Sequence, residues 1–431
     1  MKIYFTICFV TFFIGTTGIV TAQEADEKIN NIIHKTDWFT LLDEYPKLKG
    51  EMQSEMLKHL SEAMIGIYFN QPDGAIQSID WLLVNAQNEI GFASTSALVL
   101  AKSMILGEQG LYDESVDNLS NFLTQISKHA NLKEFPDHNE ILELHKQMCN
   151  KNRMKIVRPD RNVEIPYSIG SMGKGQLMYV PVIVNEKEYK FIFDTGAAGT
   201  FVSERFADDV GLRITHESLT IRGIKSDTGK GGTIDSIMIG GIVFRNPHIT
   251  IGLPNEEVDS VFQIDAILGI DFMRRIGEIQ IYPEQKKIIF PTEKTKRPSS
   301  GSNILLSSGQ PYLRAYSNAE KLLFHFDTGN VQTNLHGAYY KKHKDEIDKI
   351  GNKKTIKLGG YGGFLHVDSY QISNLPLTVG DCDFELADVS VLLEESLSFM
   401  DNEDGSFGMD FIMSFKKIII NFDDMFLKLE K

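Results

Sequence analysis

Phe191-Ile192-Phe193-Asp194-Thr195-Gly196 and Phe324-His325-Phe326-Asp327-Thr328-Gly329 are two apolar, strand-like runs that each end in Asp-Thr-Gly. A single such ending is weak. Two, each followed by the same landmarks, argue for an internal duplication that brings two carboxylates together. The aspartates lie 133 positions apart, and Ile234-Asp235-Ser236 and Val367-Asp368-Ser369 repeat at the same offset. Further on, Ala266-Ile267-Leu268-Gly269-Ile270-Asp271-Phe272 answers to Ser406-Phe407-Gly408-Met409-Asp410-Phe411, with the paired glycines 139 apart. Upstream, Gly175-Gln176 and Gly309-Gln310 each open a hairpin-like stretch that runs into its triplet. Such a period far exceeds those of solenoids and propellers, so the repeat predicts two lobes, not an array.

Two carboxylates in near contact cannot both ionise cheaply. They hold one proton between them and titrate as a pair. The ionised partner can take a proton from a bound water while the protonated one donates to a carbonyl oxygen. That chemistry needs neither metal nor cofactor, and no Cys/His cluster has metal-ligand spacing, so neither is expected. A lone aspartate of this kind would be a turn or cap residue. A glycosidase also uses paired carboxylates, but at wider separation and without Asp-Thr-Gly loops.

The apolar run ending in Asp-Thr-Gly-Ala, with Ile267-Leu268-Gly269 about 70 residues later, resembles the aspartic peptidases of the retropepsin type. Two such units in one chain resemble the bilobal, pepsin-like arrangement, over roughly residues 160–431. The resemblance implies Asp194 and Asp327 as the catalytic dyad and a polypeptide substrate. It also implies supporting loops in which Thr195 and Thr328 grip across the axis while Gly196 and Gly329 permit close approach. Ile267-Leu268-Gly269 and Ser406-Phe407-Gly408 are then expected behind those loops. Asp271 and Asp410 are expected as caps of short helices beginning at Phe272 and Phe411. Ala197 fits the retroviral pattern; Asn330 departs from it. The Asn330 amide could bond Asp327 and favour its charged form, or point away.

Each half also carries a glycine-rich hairpin candidate, Gly223 through Gly232 and Gly359-Gly360-Tyr361-Gly362-Gly363. Read as flaps, these would close over a polypeptide, with Tyr361 binding the substrate backbone. Read plainly, the second is a tight turn with an exposed aromatic. It is not a phosphate loop, since no helix start with Lys and Ser/Thr follows.

Residues 24–150 differ in character. Trp38-Phe39-Leu41-Leu42, Met56-Leu57-Leu60-Met64-Ile65, Ile76-Ile79-Leu82-Leu83 and Val116-Leu119-Phe122-Leu123 recur at helical spacing. Helix pairs are predicted over 54–70 with 73–86 and over 92–107 with 112–127. The Ala75-Ile76 and Ser115-Val116 positions correspond at an offset of 40, which resembles a degenerate tetratricopeptide-type array. Such a region would dock a partner or substrate, or serve as a helical pro-segment or scaffold. Past Pro159 short β-like runs take over, and Pro291 to Asn303 reads as a linker.

Lys2, the apolar stretch through Phe13 and Val20-Thr21-Ala22 read as a secretory signal over residues 1–22. No later segment is expected to span a bilayer. A net charge of −14 without a basic block argues against nucleic acid as a partner. Cys149 and Cys382 remain after signal removal, with nothing in the sequence to pair them. The expected fold is therefore multidomain. An all-α helical-repeat region (23–155) precedes two all-β acid-protease lobes (160–292 and 303–431). The expected protein is a secreted or periplasmic, monomeric aspartic endopeptidase. The competing reading is a catalytically silent bilobal binding protein that docks a partner through its helices.

Overall fold

The structure, a computed structural model, describes residues 20–149, 151, 153–172, 175–223, 226–253, 264–350, 352–360, 363–393 and 402–431. It divides into a helical unit ending at Arg153 and a β-rich unit beginning at Met154. The fold is thus a helical region followed by β-rich sheets. Tyr361 and residues 1–19 of the expected signal lie outside the described residues.

The helical unit comprises Val20–His34, Trp38–Leu48, Glu55–Tyr68, Pro72–Asn85, Gln87–Glu108, Tyr112–Ile126 and Pro136–Met148. Local chemistry sets their starts. Ser54 caps the third helix by accepting from the Leu57 N–H at 3.2 Å. Pro72 and Pro136 sit in the first turn, where a missing N–H costs nothing. Gln87–Glu108 is broken by a kink at Gly91, whose φ is 76°; the helix after it matches the expected 92–107, with a short helical segment before it. Gly66 lets the helix pair Glu55–Tyr68 and Pro72–Asn85 pack closely: a Cβ there would stand 2.7 Å from the Ala75 Cβ. Val99, Leu119, Phe122, Leu123, Ile126 and Leu142 form a core joining the last helices. Contrary to the sequence expectation, Gln87–Glu108 is long and apolar enough to cross a bilayer, but 67% of its apolar window is buried inside the protein. It is read as a core helix.

The β-rich unit is built on three sheets. The central path of the first runs Gly175–Val184, Lys187–Phe193, Ala266–Leu268, Phe201–Ser203, His248–Leu253, Asp227–Thr233, Arg213–Ile221. The second runs Gln310–Ser317, Glu320–Phe326, Gly405–Phe407, Asn334–Leu335, Cys382–Leu392, Gly363–Val379, Asn352–Gly360. In both, the strand entering the triplet pairs in parallel with the short strand before the later glycine: Phe193 opposite Leu268, Phe326 opposite Phe407. Both hairpins that lead into the triplets turn on two residues with positive φ, Asn185-Glu186 and Asn318-Ala319. That turn type matches the right-handed twist of the strands it joins.

The third sheet mixes strands from both halves. Its order is Val163–Pro166, Lys287–Phe290, Glu278–Tyr282, Lys417–Asn421, Phe426–Glu430. Glu278 is fully buried within it and accepts from Asn421 Nδ2 at 2.9 Å, Thr295 N at 2.7 Å and Thr295 Oγ1 at 2.8 Å. The proline- and serine-rich stretch that reads as a linker is therefore anchored to the sheet by its own backbone. The β-rich unit also carries helices, among them Gly337–Ile350 of 14 residues and Glu204–Val210 of seven.

Candidate active site

The strands Lys187–Phe193 and Glu320–Phe326 each end one residue before an aspartate of the pair. The Asp194 N–H donates to the Leu268 carbonyl at 3.1 Å, and the Asp327 N–H to the Phe407 carbonyl at 3.0 Å. Each loop then folds back on its own carboxylate. Asp194 Oδ1 accepts from the Gly196 and Ala197 N–H groups at 2.8 and 3.2 Å. Asp327 Oδ1 accepts from those of Gly329 and Asn330 at 2.8 and 3.1 Å.

The two loops are tied together by their threonines, both fully buried. Thr195 Oγ1 donates to the Phe326 carbonyl at 2.7 Å and accepts from the Thr328 N–H at 3.0 Å. Thr328 Oγ1 donates to the Phe193 carbonyl at 2.6 Å and accepts from the Thr195 N–H at 3.0 Å. The glycines make this approach feasible. A Cβ at Gly196 would stand 2.4 Å from the Asp327 Cγ, and one at Gly329 2.5 Å from the Asp194 Cγ. Gln310 adds a further tie, its amide donating to the Gly196 carbonyl at 2.5 Å.

The carboxylates are hydrogen-bonded to each other. Burial, the Asp327 charge and that hydrogen bond push the Asp194 carboxyl well above the ordinary carboxylate range. Burial also raises Asp327, while the hydrogen bonds from Asp194 and from the Gly329 and Asn330 N–H groups draw it back. Burial and mutual repulsion thus oppose ionisation of both groups at once, the condition under which two carboxyls titrate as a pair.

Behind each loop the same pattern recurs. Gly269 and Gly408 donate to Thr200 Oγ1 and Thr333 Oγ1 at 3.0 and 3.1 Å. Those hydroxyls donate in turn to Asp271 and Asp410 at 2.9 and 2.7 Å. The helices start earlier than expected, with Gly269 and Gly408 at the capping positions and the aspartates in the first turn; Asp410 Oδ1 does accept the Phe411 N–H at 2.9 Å, and both aspartates also brace the loops through Thr200 and Thr333. Burial lifts the Asp271 carboxyl to about 6 against the hydrogen bonds it accepts. The threonines were not singled out from sequence, although both sit six residues after a triplet aspartate.

Two further corrections concern the second loop and the triplet itself. The Asn330 side chain does not reach Asp327; its amide donates to Ser406 Oγ at 3.4 Å, and only its backbone N–H serves the carboxylate. A third Asp-Thr-Gly, at 227–229, lacks the apolar run of the other two; it lies on the hairpin strand Asp227–Thr233, where Asp227 is exposed. The glycine-rich segment of the first half is the return strand of a hairpin, Arg213–Ile221 with Asp227–Thr233. That of the second half joins Asn352–Gly360 to Gly363–Val379. Among the described residues, no group of three or more His, Cys, Asp or Glu is placed to hold a metal ion. Cys149 and Cys382 are free thiols.

A protein-family model described as gag-polyprotein putative aspartyl protease matches residues 180–275. The matched stretch carries Asp194-Thr195-Gly196 and Ile267-Leu268-Gly269, the elements that build the first loop, and is similar to retropepsin-like aspartyl proteases. No curated protein matches the chain.

Proposed function

We propose that this chain is an aspartic endopeptidase whose two lobes, related by an internal duplication, supply Asp194 and Asp327 as one catalytic dyad. The observation that carries the reading is the reciprocal set of hydrogen bonds by which Thr195 and Thr328 lock the two aspartate loops together. The common strand order of the two sheets and the family match at 180–275 support it. One carboxylate takes a proton from a water held between the pair. The other donates to the peptide carbonyl oxygen, and a tetrahedral gem-diol forms without a covalent enzyme intermediate. Collapse of that species returns the proton to the leaving amine. The hairpins 213–233 and 352–379 are proposed as flaps over an extended polypeptide, Tyr361 included. The helical unit is proposed as a tetratricopeptide-like docking module, and the signal-like start as an export address to the periplasm or outside.

Digestion of a peptide library by the full chain tests the reading. Asp194→Asn and Asp327→Asn should each abolish cleavage with the fold intact. The double variant should be no worse than either, since the pair acts as a unit. A transition-state-mimicking aspartic-protease inhibitor should block the wild type. Full activity in either single variant would place the activated water elsewhere.

A further inference from the structure

One side chain of the second half reaches the aspartate loop of the first. The hairpin of Ile304–Ser307 with Gln310–Ser317 turns on Ser308-Gly309, both with positive φ. That turn rests on the first loop: a Cβ at Gly309 would stand 3.4 Å from the Ala198 Cβ. Gln310 follows the turn and opens a strand that pairs antiparallel with the one entering the second triplet, Tyr312 opposite His325. Carried on by two residues, that register brings Gln310 level with Asp327. Half-buried there, the Gln310 amide donates to the Gly196 carbonyl at 2.5 Å.

The Gly196 carbonyl is one end of a peptide plane whose other end is the Ala197 N–H. That N–H donates to Asp194 Oδ1 at 3.2 Å. A planar trans peptide points its C=O and N–H in opposite directions, so a donor fixed on the oxygen also fixes where the N–H aims. Donation to the oxygen further polarises the plane and makes its N–H a stronger donor. The hairpin of the first half carries no such donor at the matching place. Tyr179 lies opposite Ile192 as Tyr312 lies opposite His325, and two residues before Tyr179 stands Leu177. Leu177 is buried and its side chain has no N–H to give. Its neighbour Gln176 is exposed.

We propose that Gln310 is a positioning residue for the dyad: from the second half it holds the Gly196–Ala197 peptide of the first, and so keeps the Ala197 N–H on the Asp194 carboxylate. This rests on the peptidase reading above, and it gives the first loop an external brace. An N–H aimed at a carboxylate favours its charged form. Without Gln310 that bond loosens, and ionising the pair becomes harder. Asp194 is also faced by Asp327 from the opposite loop and by His325 from the strand entering it. On the elements behind the first loop, Asp271 is held by Thr200 with Arg275 acting on it, and Asp265 is paired with Arg205. Arg314, on the strand of Gln310, donates to the Ser302 carbonyl. Loss of the Gln310 amide changes the charge of none of these.

The test compares Gln310→Met, which keeps the length and loses the donor, with Gln176→Met at the exposed place on the first hairpin. ¹³C-carboxyl NMR of the aspartate-labelled full chain follows the dyad without a substrate. In Gln310→Met the titration of the pair should move to higher pH by about half a pH unit, roughly threefold in proton affinity. In protein labelled with ¹⁵N-alanine, the Ala197 amide proton should move upfield as its hydrogen bond weakens. On a cleaved peptide kcat should fall about tenfold with KM nearly unchanged, as for a group that acts on the chemical step and not on substrate binding. Gln176→Met should match the wild type in all three. A wild type that cleaves no peptide refutes the proposed function alone, and the two NMR readouts still decide the role of Gln310. Should Gln310→Met not fold, Gln310→Leu puts the residue of the first half in its place and carries the same expectations. A folded Gln310 variant whose dyad titration and Ala197 resonance stay in place would overturn the proposal, and so would equal shifts in Gln176→Met.

Discussion

Thr195→Val removes one hydroxyl and almost no volume. In the structure that hydroxyl makes two hydrogen bonds, to the Phe326 carbonyl at 2.7 Å and from the Thr328 N–H at 3.0 Å, in fully buried surroundings. The variant strips both main-chain groups of these partners. Leaving a buried donor or acceptor unserved costs about 1–3 kcal/mol each, so the loss should be about 2–6 kcal/mol. Set against a typical total stability of about 5–15 kcal/mol, that is a large fraction. Urea unfolding of the full chain reads it as a lower midpoint at unchanged slope. Thr328→Val breaks the reciprocal pair of bonds and should cost as much, while Thr195→Ser should cost little. The double variant should lose less than the sum, because loops already parted have less left to lose. A loss below about 0.5 kcal/mol in both single variants would be too small for two buried bonds and would refute the cross-tied loops.

Three further outcomes follow from the same geometry. Gly196→Ala and Gly329→Ala place a methyl within 2.4 and 2.5 Å of the opposite carboxylate carbon and should depress kcat far more than they depress stability measured by urea unfolding. Asp194 has a raised folded-state value, so its contribution to stability is full at low pH and is lost as pH rises through that value; Asp194→Asn should therefore melt higher than wild type at neutral pH and lose that advantage near pH ~3, below the unfolded carboxylate value. Asn330→Ala should leave both limbs of the pH–rate profile in place, since the amide serves Ser406 and the backbone N–H survives the change.

The repeat was legible because it is written in residue types that a loop of this shape demands. Two of the four paired landmarks reappear as matched hydrogen bonds, Asp194 with Leu268 and Asp327 with Phe407, Gly269 with Thr200 and Gly408 with Thr333. Side-chain direction was not legible. Nothing in the order of residues says that the Asn330 amide turns to Ser406, or that Asp271 and Asp410 also reach back to a threonine. His325 stands out as a lone polar residue in Phe324-His325-Phe326, but its polar neighbour Ser406 is brought opposite it only by the parallel pairing of strands distant in sequence. Helices such as Glu55–Tyr68 and Pro72–Asn85 were found from apolar period, whereas Val20–His34, Pro136–Met148 and the kink at Gly91, which depends on one backbone angle, were not.

The mixed sheet has a consequence for the order in which the molecule is made. Lys417–Asn421, near the end of the chain, is the strand that pairs with Glu278–Tyr282, and Gly405–Phe407 supplies the edge on which the Asp327 loop is hung. A chain emerging from a ribosome or threading through a translocation pore has made both aspartates long before it has made either of these strands. Contacts so distant in sequence form late. From the moment Asp327 is made until these last strands emerge, the polypeptide therefore carries both carboxylates unpaired, and brings them together only once nearly all of it has been made.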